Sequence, residues 1–214
     1  MRHQNPNPVI CPAVTALDTH SFRTQMEMLE PFCRRVHIDV MDGIFAPTTS
    51  PGLDQMWWPA KMLADIHLMY QDPTSQLEQI IHLRPNLVII HQEASVDTRA
   101  FTNHLHQFGI KVGLAILHDT SIETAREALL TFDHIMIFSG TLGKHGGTAD
   151  LSLLQKVVAI REYYPDVEIG WDGGVNDQNA HELIGGGIDV LNVGGFIENA
   201  TDPAAAYAKL RAIF

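Results

Sequence analysis

Cysteine is scarce in this chain of 214 residues, where Cys11 and Cys33 are the two present. Two thiols cannot build a disulfide framework, and as a pair they lack metal-ligand spacing, so a reducing, cytoplasmic setting is expected. Positive charge is the second deficit: 14 Lys+Arg stand against 25 Asp+Glu, for a net charge of -11. Nucleic-acid affinity rests on clustered Lys and Arg that displace counterions, so this balance argues against nucleic acid as the main partner. A small anion stays compatible, because a few backbone amides or a metal ion can hold it locally. Long apolar runs are missing too. The polar, proline-rich start leads into the short run Val9 to Val14, too brief for a signal core or a membrane span, so neither export nor membrane anchoring is expected. Nor is there a visible linker or a low-complexity segment, and one domain covering residues 1–214 is the expectation.

What the chain does have is alternation. Eight apolar, β-branched runs recur: Val9-Ile10-Cys11, Val36 to Val40, Asp65 to Met69, Leu87 to His91, Lys111 to Ile116, His134 to Phe138, Val167 to Trp171 and Asp189 to Val193. Between them lie stretches with helical spacing, such as Phe22, Met26, Leu29 and Cys33, or Leu153, Leu154, Val157, Val158 and Ile160. Asp97, Ser121, Asn176 and Asp202 read as helix caps, the last followed by Pro203. Strand and helix in alternation predict a parallel sheet with right-handed crossovers, and eight units predict a closed (β/α)8 TIM barrel. An open doubly wound sheet fits less well, since no G-x-G-x-x-G follows the first strand. Eight units in 214 residues leave about 27 each, so short loops are expected, with residues 43–58 the exception.

In such a barrel chemistry belongs at the C-terminal strand ends. The second strand ends His37-Ile38-Asp39-Val40-Met41-Asp42-Gly43, and period-two alternation puts His37, Asp39 and Met41 on one face. The third ends His67-Leu68-Met69 and the seventh Trp171-Asp172-Gly173-Gly174. His37, Asp39, His67 and Asp172 inside an apolar barrel would be costly unless paired, and a divalent metal ion would pair them. The mixed N/O set suits Zn²⁺ first, with Fe²⁺, Mn²⁺ or Co²⁺ as the other candidates. Two carboxylates beside one metal are what inversion next to a carbonyl needs: one removes a proton from one face, the other returns it on the opposite face, and a Lewis acid holds the enediolate. Asp39 and Asp172 are the candidate acid/base pair; a metal hydrolase could use the same ligands with a single base. Glycine-rich segments after the last three strands, containing Gly146 and Gly147, Gly173 and Gly174, and Gly194 and Gly195, read as a phosphate cradle, with Lys144 and His145 as added cationic candidates. Gly185-Gly186-Gly187 reads as a helix end. His91 reads as a core histidine, His104 and His106 as solvated, and Trp57 and Trp58 as a cover for the mouth or a subunit contact.

The chain resembles the ribulose-phosphate 3-epimerase family, whose fold is a (β/α)8 barrel. The pattern H-x-D-x-M-D-G stands at residues 37–43, H-L-M at 67–69, H-x-E-A at 91–94 and D-G-G-[IV]-N at 172–176, colinear over nearly the whole chain. The resemblance implies that His37, Asp39, His67 and Asp172 are metal ligands, that Asp39 and Asp172 double as acid and base, and that Met41 and Met69 flank the reacting carbons. Departures fall around the substrate. The family's P-S-I-L-S-A-D becomes Pro12 to Asp18, with Ala13 where a serine hydroxyl would be. Phe138 replaces a methionine, Leu117-His118 replaces N-P, residues 141–147 replace N-P-G-F-G-G-Q, and Gly194-Gly195 replaces G-S. The expected function is metal-dependent epimerisation of a ketose phosphate. A sugar-phosphate lyase or aldolase on the same barrel, or a non-catalytic phosphate-binding homologue, are the alternatives. Expected partners are a small-molecule sugar phosphate and further copies of the chain, with no nucleic acid and no membrane.

Overall fold

The computed structural model describes residues 8–144 and 146–214. Along the chain run β1 (Val9–Val14), α1 (Thr19–Leu29), β2 (Arg35–Met41), β3 (Leu63–Met69), α2 (Leu77–Leu83), β4 (Leu87–His91), α3 (Thr98–His106), β5 (Lys111–Ile116) and α4 (Ile122–Leu129). They are followed by β6 (His134–Phe138), α5 (Leu154–Tyr163), β7 (Glu168–Asp172), α6 (Ala180–Gly185), β8 (Val190–Val193), α7 (Gly195–Glu198) and α8 (Pro203–Arg211). Each strand pairs in parallel with the next, and β1 pairs with β8, so the sheet closes into an eight-stranded barrel. All eight strand expectations hold. Between β2 and β3 the described residues include one 3₁₀ turn, Leu53–Gln55, in place of a crossover α-helix.

Strand alternation divides the interior into two layers. Outward residues such as Val36, Ile38, Val40, Ile66, Leu68, Val88 and Ile90 join Phe22, Met26, Leu105, Val157, Ile160 and Leu183 of the helices in one large apolar cluster. Val158, expected on that helix face, is exposed instead. Within the barrel the apolar filling is separate and smaller, made of Leu87, Ile89, Ala115, Met136 and Phe138. Met41 and Met69 form a further apolar cluster at the cavity, and the polar inward residues sort by end. At the N-terminal end Arg35 donates through Nε to Asp65 at 2.6 Å and through both terminal nitrogens to Glu168 at 2.8 Å, while His134 Nδ1 lies 2.8 Å from Glu168. At the C-terminal end lie the imidazoles and carboxylates of the candidate site.

Local sequence sets the helix starts. Asp18, Asp97, Ser121 and Asp202 each accept a backbone N–H from three residues on, satisfying donors that a first turn leaves unpaired. Asn176 differs: its Oδ1 accepts from Gln178 and Asn179 in a turn, and α6 begins only at Ala180. Gly187, at φ +101°, ends that helix in the left-handed region, as the glycine run suggested. No described helix is long and apolar enough to cross a membrane.

Candidate metal centre and its cavity

β2 and β3 run in register, with Asp39 opposite His67, so His37, Asp39 and His67 meet on the inner wall at the C-terminal end. Asp172 comes from the end of β7, three steps around the ring. One ligand atom from each of the four lies within 4.8 Å of every other. His67 Nδ1 is 2.8 Å from Asp39 Oδ1 and 3.8 Å from Asp172 Oδ2, and His37 Nε2 is 3.2 and 3.8 Å from the same two oxygens. Those two ring nitrogens approach to 3.3 Å. Thr15, on the inner side just past β1, donates its hydroxyl to Asp39 Oδ2 at 2.5 Å.

Burial makes this arrangement electrostatically uneven. It pushes Asp172 up to about 7; His37 opposes that rise and the Asp39 carboxylate adds to it. Asp39 is equally desolvated, yet hydrogen bonds with His37 and His67 outweigh burial and hold its carboxyl far below the usual range. Desolvation takes His67 down to about 3 against its hydrogen bond with Asp39. His37 is also penalised by burial, but Asp39 and Asp172 leave it raised.

The donor set suits a divalent cation. Two ring nitrogens and two carboxylate oxygens converge on one small volume inside the barrel, a set that a cation could bind once the facing nitrogens are deprotonated. The two-nitrogen, two-oxygen chemistry matches sites for Zn²⁺ and neighbouring transition ions, though it does not single one out.

Above the cluster opens a cavity of about 320 Å³, with Asp39 and Asp172 on its walls. Met41, Met69, Gly146, Gly147, Gly173, Gly174, Gly194 and Gly195 all line it, as does Lys144. His145 lies outside the described residues. Ala13 and Phe138 line it as well, so departures from the family pattern face the cavity. Two loops clasp its rim: Thr48 donates to the Gly143 carbonyl at 2.8 Å, and Leu142 packs both on the Met41 and Met69 cluster and on the Phe138 cluster. Gly173 and Gly174, at φ +113° and +71°, hold the end of β7 against the loop after β6; a Cβ on Gly174 would stand 2.1 Å from the Ala149 nitrogen.

Three residues escaped the reading of the sequence. His91 is not an isolated core histidine: its Nε2 is 2.8 Å from His67 Nε2, and both rings are buried. Its place at the end of β4, level with the other site histidines, was the available signal. Thr15 shares the inward parity of Cys11 and Ala13. Asn192, a buried amide on β8 that also lines the cavity, carried no motif. Elsewhere His106 pairs with Asp133 at 2.8 Å and is not merely solvated. Trp57 stands edge-on to Phe22 and Trp58 packs on the outer core, so neither tryptophan lines the cavity.

The ribulose-phosphate 3 epimerase family model matches residues 9–197. The chain belongs to the ribulose-phosphate 3-epimerase family. A family relative from Mycobacterium tuberculosis (strain ATCC 25618 / H37Rv), a ribulose-phosphate 3-epimerase, is 28% identical over 95% of this chain and 92% of its own length. The chloroplastic ribulose-5-phosphate-3-epimerase of Arabidopsis thaliana is 25% identical over 99% of this chain and 79% of its own. Among solved structures, 3-hexulose-6-phosphate synthase from Salmonella typhimurium superposes with a TM-score of 0.72 at 16% identity, covering 96% of this chain and 97% of the other. That likeness speaks for the barrel alone. Within the epimerase family fold, all four clustered His and Asp residues fall inside the matched span.

Proposed function

We propose that this protein is a metal-dependent epimerase of a ketose phosphate, inverting the carbon next to the carbonyl by proton removal and return. The observation that carries it is the pair Asp39 and Asp172: two carboxylates from different strands that face one cavity beside His37 and His67. Two carboxylates reaching one cavity from different strands are placed to serve as base and acid in one turnover. Asp39 takes the carbon-bound proton, with Thr15 and His67 fixing its two oxygens. Asp172 delivers a proton from its own strand, and the roles exchange in the reverse reaction. His37, Asp39, His67 and Asp172 would hold the metal, for which Zn²⁺ is our first choice. When bound, a divalent cation supplies Lewis-acid stabilisation of the negative charge that develops on substrate oxygens. Met41 and Met69 bound the reacting carbons with apolar surface. Backbone amides around Gly146, Gly147, Gly173, Gly174, Gly194 and Gly195 are read as the phosphate cradle, with Lys144 supplying local positive charge to a chain of net charge -11. The reading extends to a homo-oligomer and to a cytoplasmic setting, the latter in keeping with two free, buried thiols.

The test is incubation of Zn²⁺-loaded protein with ribulose 5-phosphate and other pentulose and hexulose phosphates in D₂O. Epimer with deuterium on the inverted carbon is expected. Carbon–carbon cleavage products without epimer, or no exchange with any member of the panel, would overturn the reading. Asp172→Asn should lower epimerisation by about 10²–10⁴-fold while one-face exchange through Asp39 persists. Loss of both with metal retained would count against the division of labour.

A further inference from the structure

The cavity accounts for Asp39, Asp172 and the cluster-facing nitrogens of His37 and His67, but leaves the far sides of the two imidazoles. They differ. His37 Nδ1 is buried and has no hydrogen-bond partner among the described residues. His67 presents Nε2 to His91 Nε2 at 2.8 Å. Beyond His91, its Nδ1 faces Glu93 Oε2 at 3.6 Å, and these two atoms are both buried and otherwise without a partner. The other oxygen of Glu93 is occupied, accepting from the Leu117 amide at 3.2 Å and from the Thr120 hydroxyl. Lys156 in turn pins that segment, donating to the carbonyls of Leu117, His118 and Thr120 at 2.7–2.8 Å. The His91 ring is held between Phe45 and Phe138, with centroids 4.7 and 5.6 Å away.

From this chain of contacts we infer that His91 and Glu93 are positioning residues that fix the tautomer and aim of His67 toward the cation, an inference resting on the metal reading above. The argument is a proton count. For His67 to offer Nδ1 as a lone pair to a metal, its proton must sit on Nε2. That proton needs an acceptor in a buried site, and His91 Nε2 is the atom in reach. His91 must then carry its own proton on Nδ1, which faces the Glu93 carboxylate at 3.6 Å, an ion-pair distance longer than a hydrogen bond. One carboxylate, anchored by the loop after β5, thereby sets two ring tautomers in series. Partners of this kind orient a ligating imidazole and strengthen its basicity, and losing them weakens metal binding about 10–100-fold.

The experiment titrates chelator-stripped protein with Co²⁺ against a competing chelator, following the ligand-field absorption, with circular dichroism to check folding. His91→Phe keeps an aromatic ring between Phe45 and Phe138 and removes both nitrogens; Glu93→Leu removes the final acceptor. Both are expected to weaken Co²⁺ binding about 10–100-fold and to alter the Co²⁺ spectrum, while Glu93→Gln, whose side-chain carbonyl still accepts, is expected to recover most of the loss. Wild-type-like affinity and spectrum in the first two variants would overturn the inference alone. A wild-type protein that takes up no Co²⁺ would overturn the metal reading and this inference together. Nitrogen-15 imidazole spectra of Zn²⁺-loaded wild type need no variant: protons on His67 Nε2 and His91 Nδ1 are expected, and a His91 proton on Nε2 sinks the proposal.

Discussion

Asp39 and Asp172 bring the same carboxyl group into one cavity, and their surroundings separate them. Asp39 has two imidazoles and a hydroxyl within hydrogen-bond reach; Asp172 is desolvated, with both imidazoles 3.8 Å away and the like charge of Asp39 beyond them. Backbone glycine is the other residue-scale device, and it yields a paired prediction. Gly174 needs both φ +71° and empty space, since a Cβ would meet backbone atoms at 2.1 and 2.4 Å; Gly146 needs φ +84° but has nothing within 4 Å. Gly146→Ala should therefore cost only the left-handed penalty of about 1–2 kcal/mol. Gly174→Ala must also displace the loop after β6, and should lose more stability in urea titration and raise KM for a sugar phosphate. Equal urea midpoints for the two variants would contradict this. At this scale the site was partly legible. Motif spacing and strand parity found His37, Asp39, His67 and Asp172, because a charged residue at a barrel strand end has few structural uses. His91 was missed because a lone histidine in an apolar strand looks like a packed core residue until a neighbouring strand supplies its partner.

At the scale of elements, β2 is a strand with two ends of different chemistry. Arg35 binds Asp65 and Glu168 at one end, and His37 and Asp39 face the candidate metal centre at the other. Burial alone would raise the Glu168 pKa, but Arg35 and His134 overcome it and hold the carboxyl below its usual range. A lowered carboxylate pKa contributes stability that is fully present above the unfolded value of about 4.3 and is lost as pH falls toward the folded one. Denaturation of wild type and Glu168→Gln at stepped pH should therefore show wild type losing more of its stability between about pH 5 and pH 3, with the variant's curve shallower there. Parallel curves would show that the ion network contributes nothing to acid sensitivity. Elements were the most readable level of the chain: eight β-branched runs at regular spacing became eight strands, and of the four expected caps Asp97, Ser121 and Asp202 formed while Asn176 made a turn instead. The Arg35 network stayed hidden, since its members are scattered over residues 35, 65, 134 and 168 and meet only when the ring closes.

Closure of the ring makes the whole molecule the unit that assembles the site. Asp172 on β7 is joined to the β2 side of the ring through β8 and β1, so a piece without those two strands carries all four residues but not the ring closure that brings them together. The unfolded chain has no preformed cluster, and a ligand that binds the folded state alone stabilises it by mass action. Free Zn²⁺ at 100 times its Kd would add about 2.7 kcal/mol. For a chain of this size each kcal/mol is worth about 2–4 °C, so a rise in Tm of about 5–11 °C is expected, reversed by a chelator. Stability and ligand set are thus one measurement. His37→Ala should remove most of the shift, and its chelator-treated Tm should lie below that of chelator-treated wild type, because the variant leaves a cavity and takes a partner from the buried Asp39 carboxylate. If Zn²⁺ and chelator leave the wild-type Tm unmoved in a calorimetric scan, the four residues are not a metal site, and their convergence inside a closed barrel has to be explained by hydrogen bonding alone.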